Sequence, residues 1–131
     1  MKTILQPPTM AKPGGNYSHG VLVKPGRLLF IAGQTAVDSA GAVVGSGDAY
    51  AQAQQVYKNI AAILAEAGGT FADIVKLNTF ITDIAYRGKV NEVRSQYLKQ
   101  DFPASTLVVV KGLAREDFLV EVEAVACLEG H

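Results

Sequence analysis

Glu121 and Glu123 stand two residues apart in the run Val120-Glu121-Val122-Glu123-Ala124. In an extended strand that spacing points both carboxylates to one face, about 6–7 Å apart along it. Leu119, Val125 and Cys127 share the face, and carboxylates among apolar neighbours suit general acid or base work. A subunit seam where the acids meet Lys or Arg accounts for the same pattern, so spacing alone does not assign catalysis. Ser105, in Phe102-Pro103-Ala104-Ser105-Thr106, brings a hydroxyl to the start of an apolar strand. Tyr17 has a hydroxyl able to donate to a ligand or hold a water, and a ring equally able to anchor an N-terminal arm. His19, two residues on, points the same way in an extended segment. With Ser105 and Glu121 it would complete a nucleophilic triad, but no spacing supports that geometry. A surface or cleft-rim histidine is the plainer reading, and His131, at the chain end, is uninformative.

These residues need elements to position them. Residues 1–15, with Pro7, Pro8, Pro13, Gly14 and Gly15, read as an extended arm outside regular structure. Val21 to Val23 and Arg27 to Ile31 flank Lys24-Pro25-Gly26, which predicts a β-hairpin. Residues 35–47 are rich in glycine and alanine and read as a surface loop. Ala49, Ala53, Val56, Ile60, Ile63 and Ala67 recur at spacings of four and three, the mark of one helical face. Asp48 caps that helix and Gly68-Gly69 ends it. Ile74 to Thr82 reads as a strand with Val75, Leu77 and Ile81 on one face and Lys76 and Asn78 on the other. A second helix over roughly 84–99 has Val90, Val93 and Tyr97 as its seam, with Gly88 weakening its first turn. Thr106 to Val110 and Phe118 to Cys127 form the last strands. The order β-β-α-β-α-β-β predicts a two-layer α/β sandwich, two helices on one face of a mixed sheet.

At 131 residues the chain is one domain, long enough to bury a core. Lys plus Arg and Asp plus Glu number 12 each, so no net positive field exists to hold a polyanion. A single cysteine, Cys127, excludes an internal disulfide and leaves a soft-metal site short of ligands. No apolar run reaches the ~18 residues of a membrane span, and the first residues are too short an apolar run for a signal peptide. A cytoplasmic protein without a membrane partner is expected. Leu28 to Ile31 and Leu107 to Val110 are apolar on consecutive residues, so both faces of those strands need cover. Two helices cover one face; a further copy of the chain is the simplest cover for the other.

Gly14-Gly15-Asn16-Tyr17-Ser18, Ala32-Gly33-Gln34, the Ser105 segment and the Glu121 segment together resemble the Rid family of imine and enamine deaminases, also called YjgF or L-PSP. The resemblance runs from about Gly14 to Ala126. It implies a chorismate-mutase-like fold, a homotrimer and small-molecule clefts between subunits, with no metal or organic cofactor. It gives Glu121 the place of the glutamate that positions or activates the attacking water, and leaves Glu123 structural. Tyr17 and Asn91 match cleft residues, although Asn91 taken alone is a solvated helix residue. Gly33 gives close backbone access, or answers a purely conformational need. Fifteen residues separate Ser105 from Glu121, one more than in the deaminases, and the extra residue is expected in the Ala114 to Asp117 turn.

The departures bear on substrate. Ser105 stands where the deaminases carry a carboxylate-binding arginine, and Leu107 where many carry a cysteine. Serine offers one hydroxyl and no charge, a loss of about 2–5 kcal/mol of binding for a charge-assisted pair. Poor handling of 2-iminopropanoate and 2-aminoacrylate is therefore expected, with Lys76 and Lys111 the nearest alternative cations by strand position. The expected function is a Rid-like hydrolase of an imine, enamine or related nitrogenous metabolite, aminomuconate-type deamination included. Glu121 and Tyr17 would be catalytic, and Ser105, Thr106, Asn91, Gly33, Leu107 and His19 would contact substrate. The alternative is a non-catalytic small-molecule-binding or regulatory trimer. Endoribonuclease or translation-inhibitor activity ranks last, for want of basic charge.

Overall fold

A computed structural model describes residues 2–24 and 26–128. The elements run β1 (Lys2–Leu5), β2 (Gly20–Val23), β3 (Arg27–Gln34), α1 (Ala49–Glu66), β4 (Ile74–Ile81), α2 (Arg87–Tyr97), β5 (Ala104–Val109) and β6 (Val120–Leu128). A four-stranded sheet in the order β3-β6-β4-β5 supports both helices, while β1 and β2 form a separate antiparallel ribbon. The sheet is mixed, as expected: β4 and β5 are parallel across the α2 crossover, and β6 runs antiparallel to β3 and β4. Among the described residues no helix is long and apolar enough to cross a membrane.

Local signals account for α1. Asp48 Oδ1 accepts from the Ala51 amide at 3.1 Å. At the other end Gly68, at φ +80°, donates to the Ala65 carbonyl, and Gly69 donates to that of Leu64. That paired closure needs a left-handed residue, which glycine adopts without a Cβ penalty. Between these caps Ala53, Val56, Tyr57, Ile60 and Leu64 are buried against Leu77, Ile81, Val120 and Val122 of the sheet and Val90 and Val93 of α2. Buried Gln52 is fully engaged, its Nε2 donating to the Gly45 and Asp117 carbonyls and its Oε1 accepting from the Leu119 amide. It thereby sets where the chain enters β6, two residues before Glu121.

Four local expectations are corrected. The arm is more regular than its prolines imply, since Lys2 to Leu5 pairs with Gly20 to Val23. The expected hairpin through Lys24-Pro25-Gly26 forms no ladder among the described residues, because β2 pairs with β1 and β3 pairs with the longer β6. Pro25 itself, like His131, lies outside the described residues. In β4 a register shift between Ile74 and Lys76 puts Ile74 in the core and leaves Val75 half-buried. The second helix begins at Arg87, after a separate 3-10 turn over Ile84–Tyr86 capped by Asp83. Elsewhere the β4–β6 register runs unbroken from Leu77 opposite Ala124 to Ile81 opposite Val120, so the long Ser105–Glu121 connection leaves it intact.

Candidate active site

Ser18 docks the N-terminal arm onto the sheet edge. Its amide donates to the Pro103 carbonyl at 3.0 Å and its hydroxyl to the Phe102 carbonyl at 2.5 Å, beside a parallel bridge between Ser18 and Ala104. Ser18 is buried, so these bonds are shielded from competing water. The arm residues just before it, Gly14 to Tyr17, are thereby held next to Ser105. A cavity of about 630 Å³ opens between this arm, α2 and β5. Tyr17, Asn91, Ser105 and Leu107, from three separate parts of the chain, all line it.

The cation beside Ser105 comes from α2. Arg94 is 6% exposed and lines the same cavity. Its Nη1 donates to Ser105 Oγ at 2.9 Å and its Nη2 to the Asn16 carbonyl at 2.5 Å. Both partners are neutral, and Nε is buried without a partner among the described residues. Burial pushes the guanidinium below its ordinary pKa, with Tyr57 acting in the opposite sense. Arginine is basic enough to remain charged even so. Burial likewise pushes the Tyr57 phenol up to about 12, and its hydroxyl has no partner among the described residues. Neither Lys76 nor Lys111 lines the cavity; Lys76 Nζ donates to Thr106 Oγ1 at 3.2 Å.

Strand pairing separates the remaining sequence-predicted residues from this group. Ser105 and Leu107 lie opposite Leu77 and Thr79, whose side chains are buried beneath the helices. Glu121 and Glu123 lie opposite Phe80 and Asn78, and Thr106 opposite Asn78, on the other face. Glu121 and Thr106 therefore do not line the cavity of their own chain. The Glu121 carboxylate rests against Gly33, where a Cβ would overlap its Oε2. Gly33 sits in a bulge, between the pairs Ile31–Ala124 and Gln34–Val122, that gives β3 an extra residue. The close approach this glycine allows is thus to Glu121 itself. Glu123 is exposed and accepts from Asn78 Nδ2 at 3.3 Å, which fits a structural role. His19 is also away from the cavity: its Nε2 lies 2.7 Å from the Ala11 carbonyl, and its ring meets Tyr17 edge-on at 5.9 Å. It ties one part of the arm to another, and no triad with Ser105 forms.

Sequence reasoning missed Arg94 and Arg87. The signal was present, because Arg87, Asn91 and Arg94 recur at spacings of four and three, the rule that picked out Val90, Val93 and Tyr97. A polar stripe at that spacing is normally a solvated helix face. Here it borders the docked arm, a contact between residues nearly eighty positions apart that spacing cannot reveal. Among the described residues no group of three or more His, Cys, Asp or Glu side chains gathers to ligate a metal.

Comparison with known proteins agrees with this architecture. The family described as endoribonuclease L-PSP matches residues 8–128. A RutC family protein of Pyrococcus horikoshii is 37% identical over 129 residues, 98% of this chain and 100% of its own. The 2-iminobutanoate/2-iminopropanoate deaminase of Homo sapiens is 38% identical over 120 residues, 90% of this chain and 85% of its own. Among solved structures, a Rid family protein of unknown function from Yersinia pestis superposes with a TM-score of 0.88 at 36% identity, covering 97% of this chain and 98% of that one.

Proposed function

The chain belongs to the Rid family, described as endoribonuclease L-PSP and also called YjgF, and from that premise we propose that it hydrolyses an imine or enamine of a small nitrogenous metabolite. One observation supports this above the rest: Tyr17, Asn91, Ser105 and Leu107, the positions that the family resemblance assigns to the ligand cleft, line one cavity. A relative of comparable length, 38% identical, is named as an imine deaminase.

The reaction needs a positioned water, a proton donor and a shaped hollow. Water adds to the carbon of C=N, and the carbinolamine then collapses to a carbonyl and ammonia. Glu121 takes the proton from the attacking water and returns it to the departing nitrogen, while the Tyr17 hydroxyl donates to that nitrogen during addition and recovers a proton from the carbinolamine hydroxyl as the carbonyl forms. Since Glu121 faces away from its own cavity, the Glu121 that serves a given cavity belongs to a neighbouring copy. Leu28 and Phe30, on the Glu121 face, are 56% and 72% exposed in the single chain, which supports an assembly closing over that face. We take that assembly to be a homotrimer with its ligand between subunits. Specificity is altered relative to the deaminases, because the substrate's anion is met from α2 instead of from β5. Small 2-iminopropanoate and 2-aminoacrylate are then poor substrates.

A non-catalytic binding trimer would use the same cavity, and its specific support is that no carboxylate among the described residues lines it. RNA as substrate is disfavoured by the equal counts of acidic and basic residues, 12 each. The deciding experiment generates a panel of imines in situ with an amino-acid oxidase and follows ketone release against the uncatalysed rate. Turnover that falls by roughly 10²-fold or more in Glu121→Ala is the expected result. A folded wild type silent on the whole panel would reject hydrolysis and favour the binder.

A further inference from the structure

Arg94 and Arg87 lie at opposite depths of one cavity. Arg94 is buried on its inner wall, whereas Arg87 is exposed. Asn91 stands between them on the same stripe of α2 and lines the cavity too. Seven residues of helix separate the two arginines by about 10 Å along the axis. No acidic side chain of the same chain, among the described residues, lines the cavity, and the partners of Arg94 are neutral oxygens; in the hydrolase reading the neighbour's Glu121 is turned to the attacking water and partners neither guanidinium. Burying a guanidinium without a counter-charge is unfavourable, and Nη donors fixed at a cavity wall form a ready anion site. One such cation suits a monoanion. A second, set two helical turns away in a hollow of about 630 Å³, is superfluous for a ligand the size of pyruvate.

We infer that the cavity selects a small dianion, with one anionic group held by Arg94 and Ser105 at the inner end and the second met by Arg87 at the mouth. Asn91, which can donate and accept, faces the polar atoms between them. The ligand is thus a dicarboxylate-like compound, and within the proposed reaction its imine or enamine nitrogen lies toward Tyr17. That last assignment rests on the hydrolase reading, whereas the dianion selectivity does not. The two arginines divide the work by burial. Arg94 supplies most of the affinity, because desolvated charge-assisted bonds are strong. Arg87, in water, supplies discrimination between one charge and two.

Isothermal titration calorimetry on the intact protein at low ionic strength tests this without any turnover, using adipate, hexanoate and adipamide as probes. Adipate is expected to bind roughly fivefold tighter than hexanoate, the scale of one exposed ion pair, with adipamide weakest. Arg87→Gln, at an exposed position, should bring adipate to the affinity of hexanoate and leave hexanoate unchanged. Arg94→Lys, which keeps the charge but loses the fork, should weaken both acids roughly tenfold or more. Equal binding of the two acids to wild type, a preference that survives Arg87→Gln, or no binding of either acid overturns the inference. Arg94 also holds Asn16 and Ser105, so if its variant folds poorly, Arg87→Gln alone decides the question. Selective adipate binding beside a silent imine panel would defeat the hydrolase reading alone. Turnover of imines with no preference for two charges would defeat this one alone.

Discussion

On the helix-covered face of the sheet, Leu77, Ile81, Val120 and Val122 are sealed under α1 and α2, whereas on the opposite face Leu28 and Phe30 remain 56% and 72% exposed. The first face finishes its own core and borders a cavity lined by cations, a tyrosine and an amide. The second carries the Glu121 carboxylate against the Gly33 bulge of β3 and leaves it beside uncovered apolar surface. One face is thus covered within the chain, and the other is the face that the proposed assembly would close. Residues adjacent in sequence, such as Ser105 and Thr106, fall on opposite sides of that division.

Phe30→Asp should produce the largest effect, because it places a charge in the apolar surface that a second copy would cover. Sedimentation velocity should then report monomer where wild type reports trimer, with helical content preserved and imine turnover lost. A wild-type monomer in the same run would remove the premise of a face closed by assembly. On the helix-covered face, Gln52→Leu strands the Leu119 amide and the Asp117 and Gly45 carbonyls, so urea unfolding should show a loss of about 3 kcal/mol or more. Assembly should survive at low temperature, which sharpens the contrast with Phe30→Asp.

The pH dependence of stability concerns the same buried side. Tyr57 is raised from 10.0 to about 12 by burial, so above pH 10 the unfolded chain loses its proton before the native one does. This contribution is complete below pH 10 and is lost as pH rises through about 12, a fall of about 3 kcal/mol. Tyr57→Phe should flatten the decline between those values, and an identical decline in the variant would assign it to other groups. The smallest effect is expected at the bulge on the uncovered face. Gly33→Ala pushes a Cβ into the Glu121 carboxylate, which can swing aside. Turnover should drop roughly tenfold, with little change in thermal midpoint.

Much of the framework could be read in advance because its causes are local. The α1 face, its Asp48 cap and its Gly68 closure each follow from residues a few positions apart, and the strand alternation of Glu121 and Glu123 follows from a period of two. The bulge that shifts Ile74 into the core and the pairing of β2 with β1 were not legible, because each depends on which distant strand offers the better partner. The candidate site divides along the same line. That Tyr17, Asn91, Ser105 and Leu107 belong together came from resemblance, and that Thr106 and His19 do not line the cavity came from strand pleat and a contact to Ala11.

The sequence alone determined the element order from β2 to β6, the serine at position 105 and the apolar excess on β3 and β5, since each is a property of residue type and short-range period. Only the folded chain put Arg94 against Ser105 and set Glu121 behind the sheet. Those placements arise from the crossover of α2 and the docking of Ser18 on β5, contacts whose separation in sequence exceeds any local period.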